Sequence, residues 1–477
     1  MTGAGAGLGE LLRGAVFLRP EGRLTAADAW EHAAALRRRL GPHCRPGMLI
    51  PVLQDSCFEI LASLLAVWSL GCVPCLVTDS AARGLLPESG AVLADHPLPF
   101  FLDGAGCPVI MTQECGAGGE FPEFRTSMED LPLLQCTSGS TGTPKTVVRS
   151  LGSFLREAAI IPAIAGGISL EGRLCCSTVP VFHAYGLMFR FIFPLWAGMI
   201  LLDRRVNHQE ELEGLTRIHR DPVLITSPSF MRRLGPGRID LALAVSAGGM
   251  LPPELLERIR GYFASPMLEI LGSTETGVMA WRHPETGTEL WHMAPDARLL
   301  LEPEQDGELA GGLPAGHMCV DSRHCEEHNA VFTDPVTGRE IPVFRSEDLV
   351  ELHSDGFRLL GRRSRIVKIE DKLISLDSVE RALCRTGLVS DAAVVSGSTD
   401  CREITAACAV LSAQGRELRD SMTPGRFAVA LRQAVRQYTE PVAVPRRLIF
   451  LDELPRTPTG KTDYPRIREL TSGEAAR

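Results

Sequence analysis

No basic block, acidic tail, low-complexity tract or internal repeat interrupts this sequence, which argues against a disordered tail, a solenoid or an array. Positive charge is not in surplus either. The net charge of −9 and a pI near 5.8 give no electrostatic ground for a nucleic-acid partner. The opening MTGAGAGLGELLRG lacks the charged-then-apolar layout of a secretory signal. A membrane-length apolar run is nearly absent: Ile60 to Val77 carries no charge and has about the minimum length for a span. Gly71 and Pro74 break its second half, and Ser56 with Glu59 makes a helix-starting capping box. That stretch therefore reads as a buried helix, Phe58 to Leu70, and a short buried strand, Cys72 to Val77, with no transmembrane segment. The 14 cysteines lack a disulfide-like framework, which suits a reducing, cytoplasmic setting. Cys72 and Cys75 match a redox CxxC, yet lie in an apolar strand-like run rather than at a helix start. Cys319, His324, Cys325 and His328 fit no standard zinc spacing and read as part of a polar loop.

What is present is ordinary globular composition, 45% apolar and 22% charged, in 477 residues, enough for two or three domains. From Ala27 to about Val223, helical stretches alternate with β-rich runs such as Met48–Leu53, Leu174–Pro180 and Pro222–Ser227, predicting α/β structure with substantial parallel sheet. A helix is expected over Glu254–Phe263 after the Pro252-Pro253 stop. Between Ala294 and Leu360 short runs separated by turns (Arg298–Glu302, Gly307–Ala310, Met318–Asp321, Leu349–Leu352, Arg358–Leu360) predict a small antiparallel β region. Beyond Gly361 a helix over Ser375–Leu383, strands Ala392–Val395 and Ile404–Leu411, a helix over Gly425–Tyr438 and a strand Arg447–Leu451 predict a separate α+β domain.

One segment stands out chemically: Thr137, Ser138, Gly139, Ser140, Thr141, Gly142, Thr143, Pro144 and Lys145, following the β-like run Leu131–Cys136. Small hydroxyl residues and glycines let backbone N–H groups and hydroxyls converge on phosphate oxygens, and the lysine adds positive charge. A Walker A loop ends Gly-Lys-Ser/Thr, whereas proline precedes the lysine here, which sets an unrelated P-loop NTPase aside. Taken singly the segment could be a surface turn. Further along come Ser246-Ala247-Gly248-Gly249, Gly272-Ser273-Thr274-Glu275-Thr276-Gly277, Phe344-Arg345-Ser346-Glu347-Asp348, Gly361-Arg362 through Lys368, and Pro455 through Lys461.

In this order and spacing the motifs resemble those of the adenylate-forming superfamily: acyl- and aryl-CoA synthetases, nonribosomal-peptide adenylation domains and luciferases. The resemblance runs from about Leu131 to Lys461. It implies a large N-terminal domain, residues 1–362, of mixed or parallel α/β subdomains with a small antiparallel β region. A small mobile α+β C-terminal domain, residues 363–477, would follow. It further implies ATP and Mg²⁺ as cofactors and a carboxylic acid activated as acyl-AMP with release of pyrophosphate. Thr137 to Gly142 and Lys145 would cradle pyrophosphate, while Gly248, Gly249, Leu271, Gly272 and Ser273 would lie along the nucleotide. Thr274 and Glu275 would serve catalysis, with Glu275 holding Mg²⁺, a cation that wants oxygen ligands. Asp348 and Arg362 match the groups that reach the ribose, and His183 lies in the stretch lining the acyl pocket beside Gly248 and Gly272. Lys461 resembles the catalytic lysine at the substrate carboxylate and α-phosphate. A turn about Ser364 would swing it away so that a thiol, from coenzyme A or the phosphopantetheine of an acyl carrier protein, takes the acyl group.

Four departures from the superfamily pattern stand out. Leu271 replaces an adenine-stacking aromatic, Ser364 the hinge aspartate, Asp371 a glycine facing the acceptor thiol, and Ser346-Glu347 the usual Thr-Gly before Asp348. The wording around Gly272–Gly277, Trp281-Arg282 and Arg365–Lys372 is similar to compact bacterial ligases of aryl-polyene, xanthomonadin-like and fatty-acyl pathways. It implies an aromatic or fatty acid as substrate. The alternative is a non-catalytic relative that binds nucleotide or acyl ligand as a regulator or scaffold.

Overall fold

The computed structural model describes residues 8–77, 85, 89–96, 107–115, 121, 126–137, 145–303, 314–369, 372–399, 402–457 and 462–472. Two sheets dominate the N-terminal part. In the larger, nine-stranded sheet the parallel centre runs in the order Met267–Ser273, Leu243–Ser246, Val223–Thr226, Leu174–Ser177, Ile200–Leu202, Val16–Arg19. Antiparallel strands flank it: Gly277–Arg282 and His292–Met293 at one edge, Gly22–Thr25 at the other. The six-stranded sheet runs Val109–Met111, Val92–Ala94, Leu49–Leu53, Val73–Leu76, Pro132–Thr137, Lys145–Ser150, and only its last pair is antiparallel.

The main apolar core draws on both sheets and on the helices Ala26–Leu40, Cys57–Ser69 and Leu151–Ile164. Helix Cys57–Ser69 is buried from Cys57 to Trp68 because it is apolar all round, the pattern of an interior helix. Ser56 caps it, accepting from the Glu59 N–H. At 13 residues it spans only about 20 Å, short of a bilayer core. Among the described residues no helix is long and apolar enough to cross a membrane. Where the two sheets meet, charges are paired: Asp203 accepts from the Phe58 N–H at 2.8 Å and from Arg19, and the buried Arg190 pairs with Asp55 at 2.8 Å.

A five-stranded antiparallel sheet follows, built from Ala297–Pro303, Ala315–Ser322, Ala330–Thr333, Glu340–His353 and Gly356–Arg362. The sequence showed only Leu349–Leu352, near the end of the long strand Glu340–His353, since Pro342 and the mixed charged and apolar residues of its first half give no clean alternation. The expected run Gly307–Ala310 lies outside the described residues. After Arg362 come the hairpin Ile366–Ile369 with Lys372–Ser375, the helix Leu376–Arg385, and a sheet of Val389–Thr399, Arg402–Leu411 and Arg447–Leu451. Two apolar clusters, drawn only from residue 367 onward, fill this small α+β unit.

Candidate active site

Parallel strands of the large sheet all end at one edge, and the motif turns leave from it. Open α/β sheets bind ligands at such carboxyl ends because successive loops diverge there. After Leu243–Ser246 the chain passes through the exposed Gly248 and Gly249. Gly248 has φ 84°, and no atom lies within 4 Å of where its Cβ would stand, so the backbone is open to a flat ligand. Leu251 anchors this stretch: its N–H donates to the Glu269 carboxylate at 2.6 Å, which pairs with Arg282 at 2.6 Å. Burial pushes the Glu269 carboxyl above its ordinary range, against the opposing pull of Arg282.

Gly272, Ser273, Thr274 and Glu275 lie where strand Met267–Ser273 turns into Gly277–Arg282, with a register shift between Leu271 and Gly272. Within the turn the Ser273 hydroxyl accepts from the Thr276 N–H at 3.2 Å, and the Thr276 hydroxyl accepts from the Ser273 N–H at 3.2 Å. Gly272 is exposed, while Ser273, Thr274 and Glu275 are half-buried. Leu271 is half-buried too, packed with Met250 in the cluster that contains Val350 and Phe357 of the antiparallel sheet. Oxygen donors at Thr274 and Glu275 fit Mg²⁺, which takes one or two protein carboxylates and completes its shell with water and phosphate. Among the described residues no group of three or more His, Cys, Asp or Glu side chains could enclose a metal.

Asp348 and Arg362 face each other across paired strands, Oδ1 to Nε 3.7 Å, with Asp348 buried and Arg362 exposed. Ser346 orients the carboxylate, donating to Oδ2 at 2.6 Å and accepting from the Asp348 N–H at 3.1 Å. Ser346, where the superfamily pattern has threonine, thus orients the carboxylate. His183 is half-buried at the start of the short helix Ala184–Gly186, its ring 4.7 Å from Phe182. Tyr185 ties this loop to the sheet by donating to the Val245 carbonyl at 2.7 Å.

Thr137 and Lys145 are cross-strand partners, at the ends of two antiparallel strands. Ser138, Gly139, Ser140, Thr141, Gly142 and Pro144 lie outside the described residues, as do Asp371 and Lys461. The chain before Lys461 is anchored: Arg456 donates to Asp391 at 2.5 Å, and Asp391 lies 3.7 Å from Arg232, just past helix Pro228–Met231 at the sheet edge. Ser364 is exposed in the single turn Arg363–Arg365 that joins the antiparallel sheet to the C-terminal unit.

The Cys/His group is structural. His324 does lie in a loop, after strand Ala315–Ser322, but is fully buried there, with Nδ1 2.8 Å from Asp296 and Nε2 donating to the Val278 carbonyl at 3.0 Å. The thirteen described cysteines are free, and Cys75 lies beside Cys136, Sγ to Sγ 3.7 Å, rather than beside Cys72. Sequence reasoning gave no role to Tyr185, Glu269 or Arg282. A buried charge inside an apolar strand was the available signal for Glu269.

Comparison with known proteins follows the same geometry. The sequence model of AMP-binding enzymes matches residues 102–325, and that of the AMP-binding enzyme C-terminal domain matches 378–461. A benzoate–CoA ligase of Thauera aromatica is 25% identical over 479 residues, covering 91% of this chain and 88% of that protein. A 2-succinylbenzoate–CoA ligase of Geobacillus kaustophilus is 26% identical over 486 residues, 94% and 95% covered. The fold is shared with o-succinylbenzoate CoA synthetase of Bacillus subtilis bound to its acyl-adenylate, at TM-score 0.77 and 20% identity over 95% of each chain. It is shared as well with an anthranilate CoA ligase bound to anthranoyl-AMP, at TM-score 0.73 and 17% identity over 98% and 96%.

Proposed function

Since this chain belongs to the AMP-binding enzymes, the adenylate-forming superfamily of acid–thiol ligases, we propose that it activates an aromatic carboxylic acid with ATP and passes the acyl group to coenzyme A. The observation that carries this reading is the convergence at one sheet edge of the open Gly248 backbone and the Thr274-Glu275 turn, with Asp348 and Arg362 on the antiparallel sheet packed against it. Aromatic acids are favoured because the related ligases act on benzoate and 2-succinylbenzoate.

In the first step a carboxylate oxygen of the acid attacks the α-phosphorus of ATP, and the bond to the pyrophosphate oxygen breaks, pyrophosphate leaving with the electron pair. Positioning and charge neutralisation supply most of the catalysis, since two anions must meet. Glu275 would hold magnesium, which when bound would supply positive charge to the phosphate oxygens. Thr137 to Gly142 and Lys145 cradle the departing pyrophosphate, Asp348 accepts the ribose hydroxyls, and Arg362 reaches the same sugar. Gly248, Gly249 and the aliphatic face of Leu271 hold the base, and His183 borders the acyl pocket. Lys461 donates to the acid carboxylate as negative charge builds. In the second step the C-terminal unit, residues 363–477, rotates about Ser364, the kind of hinge motion that needs only a few exposed residues. The thiolate then attacks the acyl carbon and AMP leaves.

Acid-dependent ATP–pyrophosphate exchange tests the first step, screened over benzoic, hydroxycinnamic, fatty and amino acids beside Lys461→Ala. Exchange confined to aromatic acids and abolished in the variant is the expected result. Exchange with fatty acids alone would overturn the substrate class, and silence in a folded, ATP-binding sample would leave a non-catalytic relative. Coenzyme A offered beside a phosphopantetheinylated carrier protein then identifies the acceptor by the thioester formed.

A further inference from the structure

We infer that Glu157 and His324 clamp the Val278 peptide groups and thereby set the turn that carries Glu275, as positioning residues for magnesium; this rests on the role of Glu275 proposed above. Val278 is the first residue beyond Gly277, where the turn re-enters the sheet. Its N–H donates to Glu157 at 3.0 Å and its carbonyl accepts from His324 Nε2 at 3.0 Å. Side chains from two distant segments thus take both hydrogen-bonding groups of one residue beside the register shift at Leu271 and Gly272. Gly277 leaves no room for slippage: at φ 67°, a Cβ there would fall 2.3 Å from the Glu157 carboxylate.

Each jaw is itself held. Glu157, on helix Leu151–Ile164, pairs with Arg149 at 2.8 Å, both almost wholly buried. Arg149 stands on strand Lys145–Ser150, which begins at the lysine of the segment proposed to cradle pyrophosphate. His324 is fixed by Asp296 at 2.8 Å and Ser322 at 3.0 Å on its Nδ1 side. The circuit closes at the His324 carbonyl, which accepts from Ser153 at 2.7 Å and from Arg149 at 3.4 Å. One contiguous buried polar network therefore joins strand Lys145–Ser150 to the turn bearing Glu275.

Stability does not explain such a network. A buried ion pair roughly breaks even against well-packed apolar side chains, so its place is better explained by the geometry it imposes. Groups one shell beyond a metal ligand do this by orienting the ligand, and losing them typically costs about 10- to 100-fold in metal affinity. His324 and Glu157 meet that description through the backbone.

The test is magnesium binding, not turnover. Mg²⁺ is titrated calorimetrically into the full chain saturated with a non-hydrolysable ATP analogue, for wild type, Glu275→Gln, His324→Leu and His324→Gln. His324→Leu is expected to weaken Mg²⁺ binding about tenfold, with the metal-free affinity for the analogue within about twofold of wild type. His324→Gln, which keeps an N–H donor toward Val278, should recover most of that loss. A folded His324→Leu protein with wild-type Mg²⁺ affinity, beside a weakened Glu275→Gln, overturns the clamp alone. Wild-type affinity in Glu275→Gln overturns the assignment of Glu275 and the inference with it. Should His324→Leu fail to fold, Glu157→Gln takes its place, with a loss of about tenfold expected and an unchanged affinity again overturning the clamp.

Discussion

Two arginines, the buried Arg149 in the N-terminal part and the half-buried Arg365 in the C-terminal part, sit in opposite electrostatic situations. Arg149, in the N-terminal part, meets one carboxylate, Glu157, so its charge is balanced within the pair. Arg365, one residue past Ser364 in the C-terminal part, meets two carboxylates. It pairs with Asp377 at 2.7 Å and with Glu380, stacks at 3.9 Å over the ring of Tyr464, and donates to the Val394 carbonyl. The surplus acid is expensive to bury. Burial, opposed by Arg365 and reinforced by Asp377, pushes the Glu380 carboxyl up to about 7. The same device therefore fixes a turn in one part, and in the other ties the start of the C-terminal unit to Tyr464, three residues past Lys461.

The largest expected effect separates the two arginines directly. Arg149→Met leaves Glu157 buried and unpaired and should cost about 3–5 kcal/mol in denaturant unfolding. Arg365→Met should cost roughly half as much below pH 7, because Glu380 can take up a proton instead. Equal losses would erase the distinction. Next comes Lys461→Ala, expected to lower acid-dependent exchange about 100- to 1000-fold while leaving the unfolding midpoint unchanged. A drop in stability of similar size would make that lysine structural.

The pH dependence sharpens the contrast further. The Glu380 carboxyl is raised in the folded state, so its contribution to stability is complete below its unfolded value and is lost as pH rises through about 7. Glu380→Gln should remove a slope on the order of 1–3 kcal/mol between pH 5 and pH 8, read from unfolding midpoints at the two values. A slope unaltered in the variant would place the titration elsewhere. The smallest effect concerns Ser375, which caps helix Leu376–Arg385 by accepting from the Ser378 N–H and also donates to the Leu360 carbonyl at 3.0 Å. Ser375→Ala should cost about 1 kcal/mol. A loss no larger than that of a single cap would show that the contact with Leu360 contributes little.

Much of the fold was legible. Helix Cys57–Ser69 and strands Leu49–Leu53 and Arg447–Leu451 were plain because burial writes an apolar pattern into a short window. Helices Ala413–Asp420 and Tyr464–Ser472 were not, since their surfaces are mostly polar and their few buried positions leave no clear stripe. Another sequence signal bears on Lys461: Lys145, Lys368, Lys372 and Lys461 are the only lysines in the chain, and, histidines aside, every other basic side chain is arginine. All four fall within or beside the motifs. An arginine's flat fork cannot replace a compact ammonium everywhere, which gives a chemical reason for lysine to persist there.

The sequence by itself determined the superfamily, the order of its motifs and the identities of the groups in them, because each motif is a local run whose chemistry needs only neighbours. The tertiary structure alone decided what holds those groups in place. His324 read as a weak metal-ligand candidate on a polar loop and proved to be a buried donor to Val278, 46 residues away. Glu157 lies 121 residues from the N–H it accepts, and Arg149 175 from the carbonyl it reaches. Such partners leave no periodicity or spacing to read, since what brings them together is the packing of two sheets and a helix rather than any property of the chain between them.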